Sequence, residues 1–193
     1  PHFGVNRIAT WAPASAGSVS ANGMPRTVVG TVSTPTLATT NLSTSMRRWR
    51  VTSAATAGSS ADERSNGWVC WRGNADGLGG WTYVNRLSLL TLQETGTGFF
   101  GLIGSTAPLS TTLTLSAVVN ALGIGFERGT HVNWQIVHND GAGAPTLIDL
   151  GAGFPVDSTT NVLTLYIAAP PNGSEIGRSE ERRVGKECRS RWS

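Results

Sequence analysis

The sequence predicts an all-β fold, an antiparallel β-sandwich or jelly roll. Three observations indicate this fold class. Short strand-like runs recur from residue 67 onward, Gly, Asn, Asp and Pro separate them, and no segment sustains a helical apolar period between caps, although 113–122 is ambiguous. A βαβ fold would need helices between its strands, so the antiparallel classes are favoured.

The clearest hairpin lies between Gly123 and Gly151. Its first strand has two alternating sets of residues, Val132, Trp134, Ile136 and His138 on one face and Asn133, Gln135, Val137 and Asn139 on the other. Asn139, Asp140 and Gly141 follow, and these residue types tolerate the positive φ of a chain reversal. The second strand is expected at 146–150, after a loop of the three- to five-residue class.

The remaining chain divides into a lead-in and one domain. Residues 1–46 have low hydrophobicity and spaced prolines, which favours a linker or a β-edge segment. The sandwich domain is expected at 47–177, with 56–65 as a loop. Its predicted strands are 47–53, 68–72, 81–90, 99–103, 113–119, 122–126, 132–138, 146–150 and 162–168.

In the strand at 81–90, the two faces differ in character. One face carries Trp81, Tyr83, Leu87 and Leu89, interrupted by Asn85. The other carries Thr82, Val84, Arg86 and Ser88. This alternation predicts a strand with one face toward a core.

The net charge of +3 comes entirely from the last sixteen residues, 178–193. They hold six cations against three Glu, whereas nine Arg balance nine Asp or Glu in residues 1–177. The run begins RSEER, which AGA TCG GAA GAG CGT encodes, and it resembles the translation of a common sequencing adapter. We expect 178–193 to be a non-native tail. The alternative is a genuine basic tail that binds nucleic acid.

Both ends predict a fragment of a longer protein. The chain begins at Pro1, has no visible secretory signal, and contains no apolar run of about 20 residues that would span a membrane. Residues 170–177 resemble a turn, so the sandwich is expected to be truncated at its C-terminal strands, with an exposed edge. Cys70 has no partner once the tail is set aside, so it indicates no compartment.

No motif predicts catalysis, a cofactor or a metal. The histidines at 2, 131 and 138 form no zinc pattern, and His131 and His138 are expected on opposite faces of one strand. Asn139, Asp140 and Asp149 match no calcium loop, and turn chemistry explains the first two. Single scattered carboxylates do not predict a hydrolase, although folding could gather two. We therefore expect a non-enzymatic protein.

The aromatic residues permit two interpretations. Trp49, Trp68, Trp71, Trp81, Tyr83 and Trp134 lie in or beside predicted strands, and most such residues in a sandwich form the core. The alternative is a surface for saccharide stacking or subunit packing. If Trp134 is core, Asn133, Gln135 and Asn139 face outward as a polar strip. With Asp140, they are the predicted ligand-binding residues.

Four stretches resemble a domain of tailed-bacteriophage tail fibres and related virion proteins. They are GGWTYVNRLSL (79–89), FFGLIGST (99–106), NALGIGFERGTHVNWQIVHNDGAG (120–143) and LTLYIAAPPNG (163–173). The run ATTNLSTSMRRWRVTSAATAG (38–58) resembles the family's lead-in. The resemblance implies a lectin-like or jelly-roll sandwich on a virion tail, oligomeric and concerned with structure or host attachment. It supplies no functional residues, and this chain departs from the family at Gly177, where further strands would follow.

The expected function is that of a virion structural protein that attaches to a bacterial surface glycan. Its expected partners are other tail proteins and further copies of itself, with a trimer as one option, and neither nucleic acid nor a membrane. The alternative is a carbohydrate-binding module of a bacterial secreted or surface protein. A polysaccharide depolymerase would instead need two converging carboxylates.

Overall fold

The computed structural model describes residues 26–45, 48–65, 80–91, 95–105, 107–109, 112–170, 177–182 and 186–190. Its strands are β1 (Arg26–Val29), β2 (Thr31–Ser33), β3 (Arg50–Thr52), β4 (Asp62–Ser65), β5 (Trp81–Leu87), β6 (Gly96–Ile103), β7 (Ala121–Arg128), β8 (Gln135–Asn139), β9 (Thr146–Asp149), β10 (Leu163–Ala169), β11 (Gly177–Arg182) and β12 (Lys186–Ser190). The helices are α1 (Leu42–Ser45) and a 3-10 helix (Leu115–Ala117). All pairings between these strands are antiparallel, which confirms the predicted all-β class.

Strands β6 to β9 form a four-stranded meander in chain order. The predicted hairpin is part of it, since Ile136 pairs with Ile148 and Val137 with Leu147. The connecting loop covers 140–145, six residues, and is longer than the predicted class. The side chain of Asn139 organises this longer loop, as described below.

Strand β8 begins at Gln135, three residues later than predicted, because the preceding chain changes its partner. The N–H of Trp134 donates to the carbonyl of Phe154 (2.9 Å), and the N–H of Val156 donates to the carbonyl of Val132 (3.0 Å). Residues 132–134 therefore lie against 154–156, whereas β8 lies against β9. Val132 is 76% exposed, so its predicted place on the buried face is wrong.

The second sheet has the order β12-β11-β10-β5. Strand β10 pairs with β5 from Leu163 opposite Leu87 to Ala169 opposite Trp81. Alternate residues of β10 are buried and those between them are not, and β5 shows the same alternation in weaker form. The predicted two-faced character of β5 is confirmed.

One core cluster contains residues of both sheets. Its buried members are Leu87, Ile124, Phe126, Trp134, Phe154, Val156, Leu163, Leu165 and Ile167. Trp134 is 3% exposed, and its ring centroid lies 4.9 Å from Phe126 in an edge-to-face arrangement and 5.8 Å from Phe100. The core interpretation of Trp134 is confirmed; Trp68 and Trp71 lie outside the described residues. The sandwich and its lectin-like or jelly-roll topology stay predictions.

The opposite face of the meander is also covered. Leu115, Val118, Ala121 and Val137 form a second buried cluster there. A Cβ on Gly125 would meet Leu115 Cδ2 at 2.6 Å, so glycine is what lets Leu115 approach β7. The predicted strand at 113–119 is wrong, because this segment is a 3-10 turn that packs on the sheet.

Strands β1 to β4 form two short ribbons. β1 pairs with β4 and β2 with β3, and Gly30, with φ +89°, separates β1 from β2. The presence of β4 contradicts the expected loop over 62–65. Since β2 lies before residue 46 and β3 after it, hydrogen bonds span the predicted domain boundary, which itself stays a prediction.

Strand β12 and all of β11 except Gly177 lie in the predicted foreign tail. In the register of β11, Arg182 pairs with Leu163, Glu180 with Leu165 and Arg178 with Ile167. Paired residues of an antiparallel sheet share a face, and a native strand places apolar residues on a buried face. The sequence of β11 lacks that pattern, and the foreign origin of 178–193 stays a prediction.

Candidate functional site

The structure divides the predicted polar strip into two groups at opposite ends of β8. Asn133 and Gln135 lie at its start, and Asn139 and Asp140 at its end. Four residue steps separate Gln135 from Asn139, about 13 Å along a strand. The two groups make separate sets of hydrogen bonds, and the ligand-binding role of the four residues stays a prediction.

Asp149 is the centre of the first group. Its Oδ2 accepts a hydrogen bond from Gln135 Nε2 (3.2 Å), and its Oδ1 accepts one from Asn133 Nδ2 (3.0 Å). Gln135 Nε2 also donates to the Asn133 carbonyl (2.9 Å). Gln135 is only 4% exposed, so its predicted outward orientation is wrong. We call Asn133, Gln135 and Asp149 the carboxylate clasp.

The clasp spans the point where the chain changes its pairing partner. Asn133 belongs to the segment beside 154–156, and Gln135 to the segment beside β9. The N–H of Gly151, in the loop between these partners, also donates to Asp149 Oδ1. The carboxylate thus joins three stretches of backbone, and its role is structural.

Hydrogen bonds lower the pKa of Asp149 below its ordinary value of 3.8. The largest contribution comes from the Gly151 N–H, followed by the side chains of Gln135 and Asn133, and the charge of His131 lowers the pKa further. Desolvation opposes them. Since the folded-state pKa is depressed, the clasp stabilises the fold above pH 3.8, and this contribution is lost as the pH falls below that value.

Replacing Asp149 with asparagine is expected to remove this pH dependence, because the amide cannot carry the charge that the three donors stabilise. The pH dependence is measured as the difference between the urea midpoints at pH 7 and pH 3. The wild type should lose more stability between the two pH values than Asp149→Asn. Asp157→Asn, at an exposed carboxylate in the following loop, is the control. An identical loss in all three proteins would show that the clasp is not formed.

The second group is a turn. Asn139 Oδ1 accepts the N–H of Gly141 (2.7 Å) and that of Asn120 (2.8 Å), and its Nδ2 donates to the carbonyls of Ala142 (3.1 Å) and Gly143 (3.2 Å). Asp140 Oδ1 accepts the N–H of Ala142 (3.0 Å). The backbone of the loop uses both functional atoms of the Asn139 side chain, so this residue shapes the hairpin.

The histidines do not share a strand as predicted. His138 lies in β8, whereas His131 lies in the preceding turn, where its Nδ1 accepts the N–H of Glu127 (3.1 Å). Glu127 Oε2 in turn accepts the N–H of Leu115 (3.2 Å), which holds the 3-10 segment on the sheet. The described residues include no group of three His, Cys, Asp or Glu that could hold a metal ion.

A shallow cleft lies beside Trp134. It is lined by Ser88, Leu89, Trp134, Phe154, Pro155, Ser158, Asn161 and Leu163. The cleft encloses about 250 Å³ including open solvent, whereas small-molecule sites typically have about 300–1,000 Å³. The buried indole of Trp134 also offers almost no exposed ring face. A sugar ring therefore has no stacking platform here.

Among the described residues, the side of β5 and β10 that points away from the core carries exposed apolar and aromatic side chains. We call it the outer face: Thr82, Val84, Arg86, Thr164, Tyr166 and Ala168. Val84 and Tyr166 pair directly across the two strands and are 57% and 39% exposed. The alternation in β5 predicted its half of this face. Tyr166 was missed, although it alternates with the buried Leu165 and Ile167.

No family model, curated protein or solved structure matches the chain. Within the described ranges, no helix has both the length and the apolar character to cross a membrane.

Proposed function

We propose that the chain is a non-enzymatic structural domain of a bacteriophage tail fibre or tail-associated virion protein, and that it contributes to attachment to a bacterial surface glycan. The observation that carries the attachment role is the exposed Val84–Tyr166 pair on the outer face. An aromatic ring held on a rigid strand offers an apolar plane to the apolar face of a sugar. Thr82 and Thr164 supply hydroxyl groups beside it.

Three polar side chains of the meander and its turns support a structural role. The carboxylates of Asp149 and Glu127 accept N–H groups of the protein itself, and Asn139 shapes a turn. Their hydrogen bonds stabilise the meander. The proposed partners are other tail proteins and further copies of this chain, with a trimer as one option.

A carbohydrate-binding module of a bacterial secreted or surface protein is the second candidate, because the outer face suits it equally. The genes that flank the source DNA distinguish the two. Tail genes on either side support the virion proposal, whereas genes for secreted enzymes or surface proteins support the module.

Replacing Tyr166 with alanine is expected to weaken binding to bacterial cell envelopes about tenfold, since stacking on an aromatic ring contributes about 1 kcal/mol or somewhat more. Sedimentation of the labelled domain with envelopes from a strain panel measures it. Tyr166→Phe keeps the ring and should bind like the wild type. Val132→Ala, at an exposed position outside the outer face, is the matched surface control.

Two results would contradict this proposal. Envelope binding that is absent in the wild type for every strain would refute the attachment role. If analytical ultracentrifugation without envelopes finds an oligomer for the wild type and a monomer for Tyr166→Ala, the outer face is a contact between subunits instead.

A further inference from the structure

We propose that the outer face selects acidic saccharides, with the guanidinium of Arg86 binding the carboxylate of a uronic acid whose ring packs on Tyr166 and Val84. This inference rests on the proposed attachment role and adds a ligand class to it. The groups that recognise the ligand are the guanidinium of Arg86 and, beside it, the apolar surface formed by Tyr166 and Val84.

The register of β5 and β10 sets the spacing of these groups. Val84 lies opposite Tyr166, and Arg86 lies opposite Thr164. Directly paired side chains are about 5 Å apart at Cβ, and Arg86 follows Val84 by about 7 Å along the same face. The carboxylate of a uronic acid is attached to the sugar ring itself, and its hydrogen bonds span about 3 Å. A ring on the Val84–Tyr166 pair therefore brings its carboxylate within reach of Arg86.

The charge of Arg86 is available for a ligand. The residue is exposed, and no hydrogen bond or ion pair joins its side chain to another described residue. None of the six outer-face residues is acidic, although Glu181 of β11 pairs with Thr164 on the side away from Arg86. A guanidinium binds a carboxylate through two parallel hydrogen bonds, a geometry that lysine cannot reproduce. A guanidinium beside an aromatic ring complements an acidic sugar better than a neutral one.

The outer face has the dimensions of a saccharide site. From residue 82 to 86, β5 extends about 13 Å, and two strands are about 10 Å wide. The surface continues beyond these two strands, because β11 pairs with β10 on its other side. The part formed by β5 and β10 is large enough for one or two sugar rings.

The test compares uronic acid polymers with their own carboxyl-reduced forms. Polygalacturonate, alginate and hyaluronate, each before and after reduction of the carboxylates, are titrated into the intact domain by calorimetry at low and high NaCl. At least one acidic polymer should bind about tenfold or more tightly than its reduced form, because a hydrogen bond to a charged group is stronger than a neutral one. Salt should weaken this preference.

Variants assign the preference to Arg86. Arg86→Gln should bind the acidic polymer no better than the reduced one, and Arg86→Lys should give an intermediate preference. Tyr166→Ala should weaken binding to both forms. Arg50→Gln removes the same charge from an exposed site on β3 and should keep the wild-type preference. Equal urea midpoints for Arg86→Gln and Arg50→Gln would show that both variants are folded.

The outcomes separate this inference from the attachment role. If the domain binds envelopes but no acidic polymer better than its reduced form, the acidic selectivity is wrong and attachment stands. If Arg86→Gln keeps the full preference, the assigned residue is wrong. If neither envelopes nor polymers bind, the attachment role fails as well.

Discussion

Replacing Trp134 with alanine is expected to lower the free energy of unfolding by about 3–5 kcal/mol, the usual cost of truncating a buried large aromatic side chain. The indole is 3% exposed and contacts Phe126 and Phe100. Its cluster joins the meander to β5 and β10, so the cavity would lie where the two sheets meet. Because small domains have about 5–15 kcal/mol of stability, the loss would be a large fraction of the total. Urea unfolding followed by circular dichroism measures it.

Val132→Ala is the matched control for this prediction. Val132 lies two residues earlier in the same segment and is 76% exposed, and its carbonyl keeps the hydrogen bond from Val156. Its truncation should change the free energy of unfolding by less than about 0.5 kcal/mol. Equal urea midpoints for the two variants would mean that Trp134 does not join the sheets.

Much of the strand pattern could be predicted because its physical cause is local. In β10, Leu163, Leu165 and Ile167 alternate with less buried residues, so the period of two is visible in the sequence. The chain reversal at Asn139-Asp140-Gly141 could also be predicted from the sequence, but the length of the loop could not. The segment 113–119 was assigned wrongly, because a short apolar run has the same composition whether it pairs as a strand or covers a sheet.

The candidate site was harder to predict because it depends on long-range pairing. Gln135 was expected to face solvent, since alternation in an antiparallel sheet is usually interpreted with one face exposed. Here the 3-10 segment covers the second face, and Gln135 is buried beside Val137. Its contact with Asp149 follows from the hairpin register, but the change of partner at Trp134 left no signal in the sequence.

Replacing Gly123 with alanine is expected to destabilise the domain by about 1–3 kcal/mol or more, a typical cost of overpacking. A Cβ at this position would overlap the carbonyl oxygen of Phe100 and would lie 2.9 Å from the Cα of Gly101. Both are backbone atoms of β6, so no side-chain rotation can relieve the clash. The two strands would have to separate where Gly101 and Gly123 pair, inside the β6–β7 ladder.

Gly153→Ala is the control that isolates this steric effect. No atom lies within 4 Å of a Cβ built at Gly153, and its φ lies outside the left-handed region. Alanine there should be neutral or stabilise the protein by up to about 1 kcal/mol, because it restricts the unfolded chain. The two Gly→Ala changes should therefore shift the urea midpoint by different amounts, with a large decrease only for Gly123. A decrease of the same size at both positions would show that the effect comes from the loss of glycine as such. In that case β6 and β7 do not approach each other as closely as the structure indicates.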